Sequence, residues 1–167
     1  IITGSLNWYP AKNPIMEARV KIDRITLASF GVGWTDATTE GNDVQPFSVA
    51  AGTVTDTADN GAAIVFDTDA TTDYFWVVNS LATVAGGNIL SSTSLPLYVP
   101  AADTYYNFRV AIDALGNAYY YINGIQVGYK ALATTTTTAL CPYVSVINRA
   151  GAALVVTVDY IKCWQDR

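Results

Sequence analysis

Between residues 15 and 23 apolar and polar side chains alternate without a break. Met16, Ala18, Val20 and Ile22 fall on one side, and Glu17, Arg19, Lys21 and Asp23 on the other. A period of two puts one face in a core and the other in water, so Ile15 to Asp23 predicts a half-buried strand. Leu27 to Trp34 reads as its partner, with Gly31 and Gly33 permitting a bulge or a close backbone approach. Thr104 to Asp113 repeats the alternation, with Tyr106, Phe108, Val110 and Ile112 on one face. Ala118 to Ile122 and Ile125 to Lys130 flank Asn123-Gly124, the dipeptide of two-residue hairpins whose turn residues both take positive φ.

Shorter runs fill the rest. Ala62 to Phe66 and Tyr74 to Val78 are apolar and separated by a polar turn, Asp67 to Asp73. Residues 35–60 are rich in Thr, Asp, Gly and Asn and read as loop and edge, with a weak strand at Phe47 to Ala50. A Gly- and Ser-rich passage, Ala85 to Ser94, precedes an extended piece bracketed by Pro96 and Pro100. Ala133 to Ala139, with five consecutive Thr residues, reads as a solvated loop. Tyr143 to Ile147 and Leu154 to Trp164 close the pattern. No segment combines a helical period with caps. About ten or more short strands joined by Gly, Pro, Asn and Asp turns predict an all-β sandwich or barrel. We expect one domain over residues 1–167, a two-sheet antiparallel jelly-roll sandwich, with residues 1–14 as an extended lead-in.

Composition sharpens this. The chain has 167 residues, 51 % hydrophobic and 14 % charged, which excludes disorder for most of its length. No run approaches the roughly 20 apolar residues of a membrane span, so no membrane partner is expected. The only Glu residues are Glu17 and Glu40, while Thr, Tyr and Val abound, the profile of strands. The net charge is −5 and the nine Lys and Arg residues are spread singly, against nucleic-acid binding. Low charge with many Thr, Ser and Asn residues suits an extracellular or virion surface. The chain opens Ile1-Ile2-Thr3-Gly4, as a processed product or part of something longer would. Cys141 and Cys163 have no metal-ligand spacing; a disulfide between them and two buried free thiols both stay open.

Two passages carry more than pattern. Residues 104–113, followed by Gly116-Asn117 and by Tyr119-Tyr120-Tyr121-Ile122-Asn123-Gly124, resemble the core hairpin of laminin-G-like and family 16 glucanase-like jelly rolls. Val156 to Gln165 looks like the last strand of that concanavalin-like superfamily. A broader likeness runs through Met16 to Val20, Gly33 to Ala37, Val65 to Thr71 and Val158 to Ile161. It is similar to bacteriophage virion proteins of concanavalin-like type, labelled structural, decoration or fibre-associated. That resemblance implies a place on a particle surface and coat or tail proteins as partners.

The chemistry is sparse. With no His, the chain lacks a Ser-His-Asp or Cys-His mechanism and imidazole ligands for zinc. Family 16 glucanases cleave sugars with a Glu-x-Asp-x-(x)-Glu cluster on one strand, and neither Glu17 nor Glu40 lies in one. From this we expect no catalytic residues and no enzyme. Asp67 and Asp69 are the best carboxylate pair, and as a turn they satisfy their own backbone. Asp67, Asp69, Thr71 and Asp73 alternate like the start of a calcium loop, but Thr72 and Val78 stand where an EF-hand needs Gly and Glu. A looser calcium site at Asp67, Asp69 and Asp73 stays open, and no other cofactor is expected. Trp8, Trp34, Trp76 and Trp164 with the many Tyr residues raise sugar stacking, although Trp76 reads as buried strand. Tyr119 and Tyr121 share a face opposite Tyr120, a stripe suited to a subunit contact or a ligand. The expectation is a virion surface module, a homo-oligomer or tight partner of a coat protein. The alternative is a carbohydrate-binding domain that recognises a surface glycan.

Overall fold

Two antiparallel sheets lie face to face in the computed structural model, which describes residues 2–38, 45–83, 85, 87–149, 151 and 153–167. One sheet has six strands in the order β1 (Ile2–Thr3), β12 (Cys141–Asn148), β3 (Ala28–Thr35), β6 (Gly61–Asp67), β7 (Phe75–Ala82) and β8 (Asn88–Leu95). The other has five, in the order β11 (Ile125–Lys130), β10 (Ala118–Ile122), β9 (Tyr106–Ile112), β2 (Ile15–Ile22) and β13 (Val156–Trp164). A hairpin of β4 (Phe47–Ala50) and β5 (Thr53–Asp56) is separate from both. Among the described residues the only helical piece is a 3-10 turn at Pro10–Lys12, and no helix is long and apolar enough to cross a membrane. The all-β, two-sheet antiparallel sandwich expected from the pattern is the fold observed.

The main core fills the gap between the sheets. Met16, Val20, Phe108, Val110, Ile112, Tyr120 and Ile122 meet Phe30, Val32, Trp34, Ile64, Phe66 and Phe75 there. Its buried polar atoms bond across the gap: Trp34 Nε1 donates to the Val110 carbonyl at 2.9 Å, and the Tyr120 hydroxyl to the Val78 carbonyl at 3.1 Å. A second core lies on the far side of the six-stranded sheet. Here Phe47, Val49 and Val54 of the hairpin cover Ala63, Val65, Trp76, Val78 and Tyr143. Every residue of β3 and β6 is therefore buried; β6 reads as an apolar run, while β3 sets Phe30, Val32 and Trp34 against the small Ser29, Gly31 and Gly33. Gly33 keeps these strands close: a Cβ there would lie 2.3 Å from the Ala62 carbonyl oxygen.

Several expectations need correction. Leu27 to Trp34 is not the partner of the first strand. β3 pairs with β6 and β12, while β2 pairs with β9 and β13. The two strands face each other across the core, so contiguity in sequence became a crossing between sheets. β5 and β8 lie in passages read as loop; their polar composition reflects edge positions rather than absence of strand. The Thr-rich loop is anchored, with Ala133 and Thr134 buried and both backbone amides donating to the Gly116 carbonyl. The lead-in is likewise tied down: β1 pairs with β12, and Trp8 packs 5.6 Å from Trp34. Asn123 and Gly124 take φ of 51° and 82°, as their dipeptide predicts.

Candidate functional site

β6 ends on Asp67, the one carboxylate that the apolar run carries into the interior. It is fully buried and fully used. Its Oδ2 accepts from the Ser29 hydroxyl at 3.0 Å, the Val49 amide at 3.2 Å and Arg149 Nη2 at 2.9 Å, while Oδ1 accepts from the Asp69 amide at 3.1 Å. A carboxylate stripped of water needs such compensation, and a guanidinium provides its charge. Arg149, at the end of β12, spans two carboxylates: its Nη1 lies 2.6 Å from Asp69 Oδ2. Behind this cluster a buried polar chain runs beneath the hairpin. The Ser145 hydroxyl donates to Gln45 Oε1 at 3.1 Å, and Gln45 Nε2 donates to the Ser29 hydroxyl. Gln45 stands two residues before β4 and Ser145 lies in β12, so the chain couples the covering hairpin to the sheet beneath it.

In front of the cluster a cleft of about 860 Å³ opens to solvent. Its walls include Gln45, Ser48, Thr55, Asp56, Thr57, Asp69, Asn148 and Arg149, with Leu27 and Ile147 as the apolar part. The Ser48 and Thr55 hydroxyls lie 2.6 Å apart on the hairpin, and Asn148 Oδ1 accepts from Arg24 Nη2 at 2.7 Å. Concave sites of this volume with convergent polar groups are where small ligands bind. The arrangement offers hydroxyls, amides and carboxylates held by a rigid buried network, which is the inventory needed to exchange hydrogen bonds with a polyhydroxylated ligand.

The predicted residues fall in different places. Asp67 and Asp69 come together, but on Arg149; Asp73 is exposed at the other end of the turn. Where a loose calcium site would need converging oxygens, the turn holds a guanidinium. Among the described residues no group of three His, Cys, Asp or Glu side chains could hold a metal ion. Glu40 lies outside the described residues. Tyr119 and Tyr121 sit half-buried on the outer face of the five-stranded sheet, with Tyr120 in the core between them. The Tyr119 hydroxyl donates to Asp113 Oδ2 at 3.1 Å, which raises the phenol's pKa, and its ring lies 5.1 Å from Tyr129. Tyr121 stacks near the Arg109 guanidinium, which pairs with Glu17 at 2.9 Å. Cys141 and Cys163 are free thiols in different sheets, and burial pushes both up to about 11.

The cleft residues Gln45, Asn148 and Arg149 were missed by the sequence reading, because they arrive from two distant segments with no shared motif. The available signal was Asp67 itself. A carboxylate closing an apolar run demands a cation, and Arg149 follows the apolar strand that borders β3.

No protein-family model matches the chain, and no curated protein matches it in sequence. Solved structures do match in shape. The Emp47p carbohydrate recognition domain superposes with a TM-score of 0.63 at 9 % identity, over 93 % of this chain and 73 % of that one. The fold is the concanavalin-like jelly roll. A family 16 endo-glucanase from Bacteroides ovatus matches with a TM-score of 0.59 at 11 % identity, over 92 % of this chain and 70 % of that one. The κ-carrageenase of Pseudoalteromonas carrageenovora, solved with an oligotetrasaccharide of κ-carrageenan, gives 0.55 at 14 %, over 92 % of this chain but 64 % of the enzyme. The chain thus spans just under two thirds of that enzyme's length.

The solved neighbours are mostly glycoside hydrolases and polysaccharide lyases, with some lectins, and this overturns the expectation that the chain is not an enzyme. That expectation tested for His-based nucleophilic catalysis and one glucanase cluster. A fold that carries both hydrolases and lyases carries more than one chemistry, so a missing motif excludes only its own. At these identities the likeness is one of fold. It lends no support to a bacteriophage origin.

Proposed function

We propose that this domain recognises carbohydrate, and that the saccharide lies in the cleft between the β4–β5 hairpin and the end of β12. The observation that carries the proposal is the cleft itself: an open volume of about 860 Å³ rimmed by hydroxyls, amides and carboxylates, over a buried network that fixes them. Solved structures of this fold named as carbohydrate recognition domain, endo-glucanase and κ-carrageenase support it. A place on a virion surface, with coat or tail proteins as partners, rests on the sequence resemblance alone.

The test is titration of the full chain with an oligosaccharide panel, followed by amide chemical shifts. Shifts should concentrate on residues 45–57, 69 and 147–149. Thr55→Ala and Asp56→Ala should each weaken binding several-fold, as loss of one hydrogen bond worth about 1 kcal/mol does. Following reducing ends and unsaturated products in the same mixtures reads hydrolysis and elimination. Binding that maps to the five-stranded sheet instead, or no binding by any oligosaccharide, would overturn the assignment to the cleft.

A further inference from the structure

We infer that the cleft selects neutral saccharides and turns away those carrying carboxylate or sulfate groups, an inference that rests on the carbohydrate recognition proposed above. The cleft's charge is unbalanced. Among the described residues Asp56 and Asp69 line it and Asp67 stands directly behind, against the single lining guanidinium of Arg149. Arg24, reaching Asn148 from outside the cleft, leaves the sum negative.

Arg149 is also already engaged. Carboxylates and sulfates are gripped best by a guanidinium fork offering two parallel N–H groups. Here Nη2 is committed to Asp67 at 2.9 Å and Nη1 to Asp69 at 2.6 Å, so the charge of the guanidinium is already shared by two carboxylates before any anion arrives. Asp67 cannot swing away, because Ser29 and the Val49 and Asp69 amides hold it in the interior. The groups that face the cleft are the hydroxyls of Ser48, Thr55 and Thr57 and the carboxylates of Asp56 and Asp69. Hydroxyls both donate and accept, and carboxylates accept only, which suits the O–H groups of a neutral sugar. The remaining cations give no help: Arg19, Lys21, Arg109, Lys130 and Lys162 belong to the five-stranded sheet, Lys12 and Arg167 lie beyond the end of β13, where the Asp166 amide donates to the Lys12 carbonyl, and the chain as a whole carries −5.

The experiment compares neutral β-glucan oligosaccharides with oligogalacturonates and κ-carrageenan oligosaccharides of equal length, at low and raised salt. The neutral series should bind with little dependence on salt. The anionic series should bind at least about tenfold more weakly at low salt and recover as salt screens the cleft. Asp69→Asn removes one carboxylate and releases Nη1, so the ratio of anionic to neutral affinity should rise about tenfold. Asp56→Asn, at the end of the hairpin and outside the second core, should raise the same ratio. Tighter binding of the anionic series to the unaltered chain overturns the selectivity and leaves carbohydrate recognition standing. No binding of either series overturns both.

Discussion

The six-stranded sheet is covered on both faces, by the other sheet on one side and by the β4–β5 hairpin on the other, whereas the five-stranded sheet keeps one face in water. The difference shows in how each handles charge. On the wet face Glu17, Arg109, Arg19 and Asp159 form ion pairs that solvent screens. Under the hairpin Asp67 is sealed from water and bound by four protein groups, one of them Arg149. The covered sheet therefore builds a cleft with a rigid floor, and the open sheet builds a surface of adjustable side chains.

The contrast breaks first at Gly33. A side chain there meets the backbone of Ala62 and Ala63, which no rotamer change relieves. Gly33→Val should cost more than about 4 kcal/mol, beyond ordinary overpacking, and chemical denaturation should find little folded protein. Gly124→Ala, at φ of 82° but with open space around it, should cost only about 1 kcal/mol.

Phe47→Ala comes next. Removing the ring beneath the hairpin should cost about 3 to 4 kcal/mol and expose the second core, visible as new binding of a hydrophobic dye. Asp67→Asn should cost about 2 to 3 kcal/mol, since it leaves Arg149 with one partner while keeping the side chain's shape. An unchanged denaturation midpoint for Asp67→Asn would show that the covered face does not depend on its charge pair.

Smallest are the effects on the open face, and there pH sharpens the comparison. Burial raises the Glu17 pKa, but hydrogen bonds from Tyr160 and Arg109 outweigh it and leave the carboxyl below its ordinary range. Its contribution is present above the unfolded pKa and lost as pH falls through the folded one. Glu17→Gln should cost under about 1 kcal/mol at neutral pH and flatten the acid loss of stability. Asp36, after β3, has the opposite sign: burial raises its pKa despite hydrogen bonds from Asn60. Its penalty at neutral pH is relieved as pH falls through the raised value, so Asp36→Asn should steepen the acid loss. Denaturation midpoints across pH measure both.

The same contrast explains what could be read in advance. β2, β9 and β10 alternate because one face is wet, and their bounds were legible to within a residue or two. β6 was legible as an apolar run and β3 as a strand, but a strand without a wet face does not say which neighbour it takes, and β3 was misassigned as the partner of β2. β5 and β8 carry edge-strand polarity and were indistinguishable from loop. For the site, Asp67 and Asp69 were visible as a pair, while Arg149 was not, because an ion pair spanning 82 residues leaves no local mark.

β2 has a history that the finished sheet conceals. Of the five strands in its sheet it leaves the ribosome first, and its neighbours β9 and β13 follow only at residues 106–112 and 156–164. At about 5 to 20 residues per second, roughly 4 to 17 seconds pass before β9 exists at all. Throughout that interval the β2 segment is an amphipathic sequence without either neighbour of its sheet, and an unpaired strand edge is what chains use to pair with one another. Glu17, Arg19 and Lys21, alternating along it, are the charges that guard such a strand against aggregation. The ion pairs they make in the native sheet come afterwards: Arg19 meets Asp159 across 140 residues, when nearly all the described chain has been made.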